Sequence, residues 1–126
     1  MRPCVLVTAG DPAGIGYELA ASVASSNIPV QPLIIAERDL WSAAAASVGL
    51  RARAVILQEF LVGSLTEHLI PRGAYGLVPL LRRAVPGAVK SGRLNAASGR
   101  CALDALDAAC RIIETGGVHR RYGLLT

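Results

Sequence analysis

The chain has 126 residues, of which 52% are hydrophobic, enough for the core of one domain. Its net charge of +4 comes from scattered basic residues that do not alternate with aromatic residues, which argues against a nucleic-acid-binding surface. Three cysteines without C-x-x-C spacing do not form a disulfide framework and predict a reduced, cytoplasmic protein. No secretory segment or membrane span is expected, because no apolar run approaches the roughly 20 residues needed to cross a bilayer.

The first half of the chain alternates between strand and helix patterns. Residues 4–8, CVLVT, form a short apolar run that is typical of a buried strand. Residues 17–26 have apolar side chains at helical spacing, and Glu18 in their first turn favours the helix dipole. A second strand is predicted over 30–36.

The same alternation continues with a helix over 38–48, which Gly49 ends, and a third strand over 54–58. The order is therefore β-α-β-α-β with short connections. Parallel strands need such helical crossovers, and these crossovers are right-handed. The sequence therefore predicts an α/β fold with a doubly wound, mainly parallel sheet.

The pattern weakens over residues 59–94, which contain three prolines and several glycines. Residues 65–70 could be a strand, and 77–85 could be a short helix or an extended segment. Both alternatives stay open on the residues alone.

A long helix is predicted over 95–117, with Asn95 as its N-cap, and a fourth strand over 122–126. Gly99 lies inside this helix, and close packing against the sheet is the expected reason. The predicted apolar face consists of Ala102, Leu106, Ala109 and Ile113, with Leu103 and Cys110 beside it.

The loop 9–16, AGDPAGIG, joins the first strand to the first helix. Its three glycines permit positive φ and leave room for a backbone or a ligand to approach. Asp11 can accept hydrogen bonds from hydroxyls or backbone N–H groups, and the following helix start can bind an anion. The loop is not a P-loop, and Leu19 occupies the third glycine position of a dinucleotide fingerprint. A tight turn in which Asp11 caps the helix and a ligand-binding loop both remain open.

Residues 8–18, TAGDPAGIGYE, resemble the opening signature of the 4-hydroxythreonine-4-phosphate dehydrogenase (PdxA) family, T-x-G-D/E-P-A-G-I-G-P-E. Only Tyr17 departs from that signature, where the family has proline. Residues 91–100, SGRLNAASGR, resemble a second family segment, and 122–126 resemble the strand before a third. The resemblance covers essentially the whole chain but only the first part of a family member. It implies a single incomplete domain over 1–126, similar to the first domain of the isopropylmalate dehydrogenase-like fold.

The resemblance also implies the chemistry. Family members use NAD or NADP and a divalent metal to oxidise a phosphorylated hydroxy-amino acid, which then loses CO₂, in pyridoxal phosphate biosynthesis. The family's metal-binding histidines, catalytic lysine and phosphate-binding residues lie downstream, and neither His68 nor His119 fits their motifs. No catalytic or metal-binding residue is therefore expected in this chain, which should hold neither cofactor nor metal and be inactive alone.

The family partners implied are a small phosphorylated substrate and a second copy in a homodimer, with no nucleic acid or membrane. The residues expected to line the cleft on the substrate and cofactor side are Thr8, Gly10, Asp11, Pro12, Gly14, Gly16 and Glu18. A chain of this extent should also expose a sheet edge and an apolar face. The alternative is a non-catalytic remnant, or a small anion-binding module that reuses the fold.

Overall fold

The computed structural model describes residues 3–59, 62, 70–90, 92–93, 95–115 and 122–125. Five strands form one sheet in the order β3-β4-β2-β1-β5, and all neighbouring strands are parallel. The elements are β1 (Cys4–Thr8), α1 (Gly16–Ser25), β2 (Gln31–Ala36), α2 (Arg38–Ser47), β3 (Arg53–Ile56), β4 (Ala74–Pro79), α3 (Ala96–Thr115) and β5 (Tyr122–Leu125). In the described part of the chain, no helix is long and apolar enough to cross a membrane.

The predicted α/β fold with a doubly wound parallel sheet is confirmed. The strands and helices predicted in the first half, the long helix and the last strand all form, with ends within about two residues of those predicted. Gly49 ends α2 as expected, with φ of 68°.

The second half holds one strand that the sequence left open. β4 is extended and buried, and it lies between β2 and β3. Of the two alternatives for 77–85, the extended one holds as far as Pro79, and no helix follows there. The possible strand at 65–70 lies outside the described residues except for Ile70, and His68 and His119 lie outside them entirely.

Helices cover both faces of the sheet. On one face, α1 and α2 enclose a core of small aliphatic residues with Tyr17, Trp41 and Tyr75 at its centre. On the other face, α3 packs against β1 and β2.

The buried face of α3 differs from the predicted one. Of the four residues predicted, only Ala109 is buried, while Leu106 and Ile113 are exposed and Ala102 is partly buried. The face that packs on the sheet consists of Ser98, Cys101, Ala105, Ala108, Ala109 and Ile112. Large side chains on the sheet, Leu6 and Leu33 among them, already fill the volume beneath α3. Small residues therefore let the helix approach closely, and the larger apolar ones lie towards solvent.

Gly99 does not pack against the sheet, so the reason predicted for it is wrong. It is exposed, and a Cβ built there meets no atom within 4 Å. We expect Gly99→Ala to raise the free energy of unfolding by up to about 1 kcal/mol, because alanine loses less backbone entropy in a helix. Urea titration followed by circular dichroism measures this, and a loss of stability would show that the position is constrained.

Candidate functional site

The glycine loop lies where the sheet changes winding direction. From β1 the chain passes through α1 to β2 on one side, whereas β5 pairs with β1 on the other side. Ligands in open parallel sheets bind beyond the carboxyl ends of the strands at such a switch point. The loop follows the carboxyl end of β1 directly, so the topology places it at the position where this fold class binds ligands.

Asp11 organises the loop from inside. The Ala13 N–H donates to Asp11 Oδ1 at 2.8 Å, and the Gly14 N–H donates to the Asp11 carbonyl at 3.0 Å. This confirms that Asp11 accepts from backbone N–H groups. Of the two alternatives left open for the loop, the one in which Asp11 caps α1 does not hold, because Ile15 is the N-cap and no side chain of the described residues caps the helix.

The three glycines of the loop have different structural reasons. Gly10 has φ of 75°, a conformation that L-residues with a side chain rarely adopt. At Gly16, a Cβ would lie 2.1 Å from the carbonyl oxygen of Ala9, so the close approach of α1 to the end of β1 requires glycine. Gly14 is exposed, and its nearest neighbour to a Cβ is the Asp11 carbonyl oxygen at 3.5 Å.

The loop contacts the second segment that resembles the family. The Ser98 hydroxyl lies 3.2 Å from Asp11 Oδ2, and the Gly92 N–H donates to the Ala13 carbonyl at 2.7 Å. Asn95 Oδ1 accepts the Ser98 N–H at 2.9 Å, which confirms Asn95 as the N-cap of α3. Two segments far apart in the chain therefore form one connected structure beside the carboxyl end of β1.

A fully buried carboxylate follows the carboxyl end of β2. Glu37 is the N-cap of α2, and its Oε2 accepts the Leu40 N–H at 2.8 Å. Its Oε1 lies 3.5 Å from Arg83 Nε, and Arg83 also pairs with Asp39 at 2.6 Å. Residue type alone does not identify Glu37, because glutamate is not among the residues that favour the N-cap position.

Tyr17, the one departure from the family signature, links α1 to the end of β2. Its hydroxyl accepts the backbone N–H of Glu37 at 3.0 Å, and its ring lies 6.4 Å from that of Trp41. Trp41 in turn donates from Nε1 to the Tyr75 hydroxyl at 3.1 Å. Tyr17 thus replaces the backbone constraint of a proline with a buried hydrogen bond and aromatic packing.

Burial raises the pKa of Tyr17 above its ordinary value of 10.0. Its neutral form therefore stabilises the fold below pH 10.0, and this stability is lost as the pH rises beyond that value. We expect Tyr17→Phe to lower the free energy of unfolding by about 1–3 kcal/mol at neutral pH, because the Glu37 N–H loses its partner. We also expect the variant to lose less stability than the original chain between neutral and strongly alkaline pH. Urea titrations of both proteins across this range test it, and parallel curves would contradict it.

Several groups near the carboxyl ends of the strands, where the glycine loop lies, are buried hydrogen-bond acceptors. Thr8 Oγ1 and Glu18 Oε2, both in the predicted site, are buried without a hydrogen-bond partner among the described residues. Burial, together with the negative charges of Glu37, Asp104 and Asp11, raises the pKa of the Cys101 thiol, which disfavours its nucleophilic form. The edge is thus rich in carboxylate and hydroxyl oxygens, which suit ligand hydroxyl or amine donors better than a phosphate.

The cavities identified lie elsewhere. One of about 480 Å³ opens beside the amino ends of β2 and β4, at the opposite edge of the sheet. Another of about 330 Å³ lies between α3 and the residues after β3 and β4, and it is lined by charged side chains such as Glu59 and Arg111. None of the seven predicted site residues lines either cavity. Their role in lining a cleft stays a prediction.

The fold and the loop define a parallel α/β domain with a structured glycine loop at its switch point. A solved structure of a 4-hydroxythreonine-4-phosphate dehydrogenase from Burkholderia phymatum has this fold, with a TM-score of 0.71 and 21% identity. The similarity covers 92% of this chain and 34% of that one.

Curated 4-hydroxythreonine-4-phosphate dehydrogenases are similar in sequence as well. One from Neisseria meningitidis serogroup B is 30% identical over 115 residues, which are 91% of this chain and 32% of the relative. One from Sodalis glossinidius is 32% identical over 124 residues, 92% of this chain and 36% of the relative. No family model matches the chain. The resemblance to the N-terminal portion of the 4-hydroxythreonine-4-phosphate dehydrogenase family is confirmed, and the chain spans about a third of the length of these relatives.

Proposed function

We propose that this chain is the N-terminal portion of an NAD- or NADP-dependent 4-hydroxythreonine-4-phosphate dehydrogenase. The whole enzyme would oxidise the hydroxyl of a phosphorylated hydroxy-amino acid and then release CO₂, as a step of pyridoxal phosphate biosynthesis. The observation that carries the proposal is the sequence similarity over 91% of the chain, with the family's glycine loop at the switch point of the sheet.

The part proposed for this chain is one wall of the reaction cleft. Gly10 and Gly16 allow the backbone to turn sharply next to β1, and Asp11 is held by Ala13 and Ser98. A loop held by hydrogen bonds within itself and to a neighbouring segment can position a substrate or cofactor without reorganising. Thr8, Pro12, Gly14 and Glu18 complete this wall in the proposal.

The metal of the family does not fit the described residues. They include no group of three or more histidine, cysteine, aspartate or glutamate residues that could hold a metal ion. We therefore propose that the metal, the catalytic residues and most contacts to NAD or NADP come from polypeptide beyond this chain. The chain alone would be inactive, and the complete enzyme would be a homodimer with two isopropylmalate dehydrogenase-like domains. Three free cysteines support the cytoplasmic location that we propose for it.

The test is an assay of NAD(P) reduction with the phosphorylated hydroxy-amino acid and a divalent metal. It compares the purified chain with the chain mixed with a polypeptide that supplies the remaining two thirds of a relative. We expect no turnover by the chain alone and measurable turnover by the mixture. Turnover by the chain alone would refute the division of the site, and a folded complex without turnover would favour a non-catalytic remnant.

The anion-binding alternative has its own test. Calorimetric titration of the folded chain with NAD and with inorganic phosphate should give no heat of binding if the cleft needs the second polypeptide. Saturable binding to the chain alone would favour a small module that reuses the fold. The nucleotide sequence 3′ of the Thr126 codon adds an independent check, because an open frame encoding the family's next signature, P-V-H-K, supports the dehydrogenase proposal.

A further inference from the structure

One flank of α3 carries apolar side chains that the described residues leave uncovered. The residues are Leu103, Leu106, Cys110 and Ile113, and we call them the α3 stripe. Leu103 is 54% exposed, Leu106 38% and Ile113 43%, and Cys110 is also exposed. Alternating steps of three and four residues align these side chains along the helix, which is the pattern of a surface that packs against another helix.

The opposite flank of α3 is polar and already has partners. Asp104 lies 3.8 Å from Arg82, and Arg111 lies 2.6 Å from Glu59. Glu59 and Arg82 follow β3 and β4 in the chain, so the polar flank faces that side of the sheet. The α3 stripe must therefore face the other side, where β5 lies at the edge.

On the face that α3 shares, Tyr122 at the start of β5 packs against the core, whereas the carboxyl end of β5 is partly uncovered. Leu124 pairs in register with Leu6, and neighbouring residues in register point to the same face of a sheet. Leu6 is fully buried in the core between α3 and the sheet, whereas Leu124 is 42% exposed. Leu124 and the α3 stripe together border a position in the helix layer, above β5 and beside α3, that none of the described residues fills.

The winding of the chain indicates what kind of element fits this position. The crossovers from β1 to β2 and from β2 to β3 run one way along the sheet, with α1 and α2 on one face. The crossover from β4 to β5 runs the opposite way, with α3 on the other face. Because parallel crossovers are right-handed, a strand added outside β5 would bring its helix onto the α3 face.

We propose that the groove between the α3 stripe and Leu124 receives an amphipathic helix from the polypeptide that completes the protein. This occupant rests on the proposed function, since the chain spans only 32–36% of the curated relatives and about two thirds of their length lies outside it. The helix would present apolar side chains to the groove and polar ones to solvent. Its docking would cover the β5 edge of the core.

Cys110 provides a reporter within the α3 stripe. It is exposed, whereas Cys4 and Cys101 are buried, so a maleimide should modify Cys110 first in the folded chain. We expect the complementary two thirds of a relative to slow this modification about tenfold or more, because docking excludes solvent from the groove. An unchanged rate in the presence of that polypeptide, including the case in which no complex forms, would overturn the proposal. Protection that grows with the concentration of the chain alone would also overturn it, since a second copy would then be the occupant.

A matched pair of variants tests the surface itself. Leu103→Gln removes an apolar side chain of the α3 stripe, and Arg100→Gln changes an exposed residue one turn earlier, outside the stripe. We expect Leu103→Gln to weaken binding of the complementary polypeptide about tenfold, because binding energy concentrates in buried apolar contacts, and Arg100→Gln to leave it unchanged. Circular dichroism confirms that both variants fold.

The two proposals fail in different ways. Complex formation that depends on Leu103 but gives no turnover rejects the dehydrogenase and keeps the docking surface. In the opposite case, the complex turns over substrate, but Leu103→Gln and Arg100→Gln bind the complementary polypeptide with the same affinity. That result keeps the dehydrogenase proposal and rejects the docking surface.

Discussion

Gly16→Ala is expected to lower the free energy of unfolding by about 3 kcal/mol. The added Cβ would lie 2.1 Å from the Ala9 carbonyl oxygen, and both partners belong to the backbone, so neither can rotate away. Alanine gains up to about 1 kcal/mol over glycine in a helix, but the clash outweighs this gain. The start of α1 must then move away from β1, which also strains the bond from Glu37 to Tyr17. Urea titration followed by fluorescence of Trp41, the single tryptophan, measures the loss.

Gly14→Ala is the matched control, because both glycines belong to the same loop and the same signature. Gly14 is exposed, and its added Cβ would meet the nearest atom at an ordinary contact distance of 3.5 Å. We expect a change of less than about 0.5 kcal/mol. Equal losses in the two variants would show that the loop tolerates no side chain for reasons other than the contact with Ala9.

Periodicity predicted the elements whose residues follow simple rules. β1 and β2 are apolar runs between turn residues, and α1 and α2 have helical spacing. The sequence of β4, AYGLVP, does not predict a strand by itself, because it contains glycine and proline, which disfavour strands. Tertiary packing explains that glycine, since a Cβ at Gly76 would lie 2.4 Å from the Leu33 side chain. Such a requirement comes from a neighbouring strand, and local sequence does not reveal it.

The face of α3 was assigned wrongly for a related reason. Hydrophobicity ranks Leu106 and Ile113 above alanine, so a single-helix analysis places them in the core. The sheet beneath α3 already supplies the large side chains, and the remaining space fits Ala105 and Ala108. The larger residues are left for a surface that the described residues do not cover.

The candidate site was located by its motif, and the contacts that organise it come from distant parts of the chain. The sequence identified the loop and predicted that Asp11 accepts hydrogen bonds, but its partner Ser98 is 87 residues away. From the sequence, Tyr17 indicates only the loss of a proline. In the structure it accepts a hydrogen bond from Glu37, because α1 and α2 lie side by side on one face of the sheet. These pairings follow from the packing of helices on the sheet, which residue patterns alone do not determine.

Trp41→Ala is expected to give the largest loss, about 3–5 kcal/mol, because it removes the largest buried side chain of the α1–α2 face. The Trp41 ring packs edge-on against Tyr75 at 5.8 Å and lies beside Tyr17, so its removal leaves a cavity and a Tyr75 hydroxyl without its donor. Domains are stable by only about 5–15 kcal/mol, so much of the variant should be unfolded under mild denaturing conditions. Circular dichroism during urea titration measures the loss, and Ser42→Ala, at an exposed position of α2, should stay within about 0.5 kcal/mol. A loss below about 1 kcal/mol for Trp41→Ala would show that α2 packs loosely on the sheet, and the end of β2 at Glu37 would then not be held rigidly beside the glycine loop.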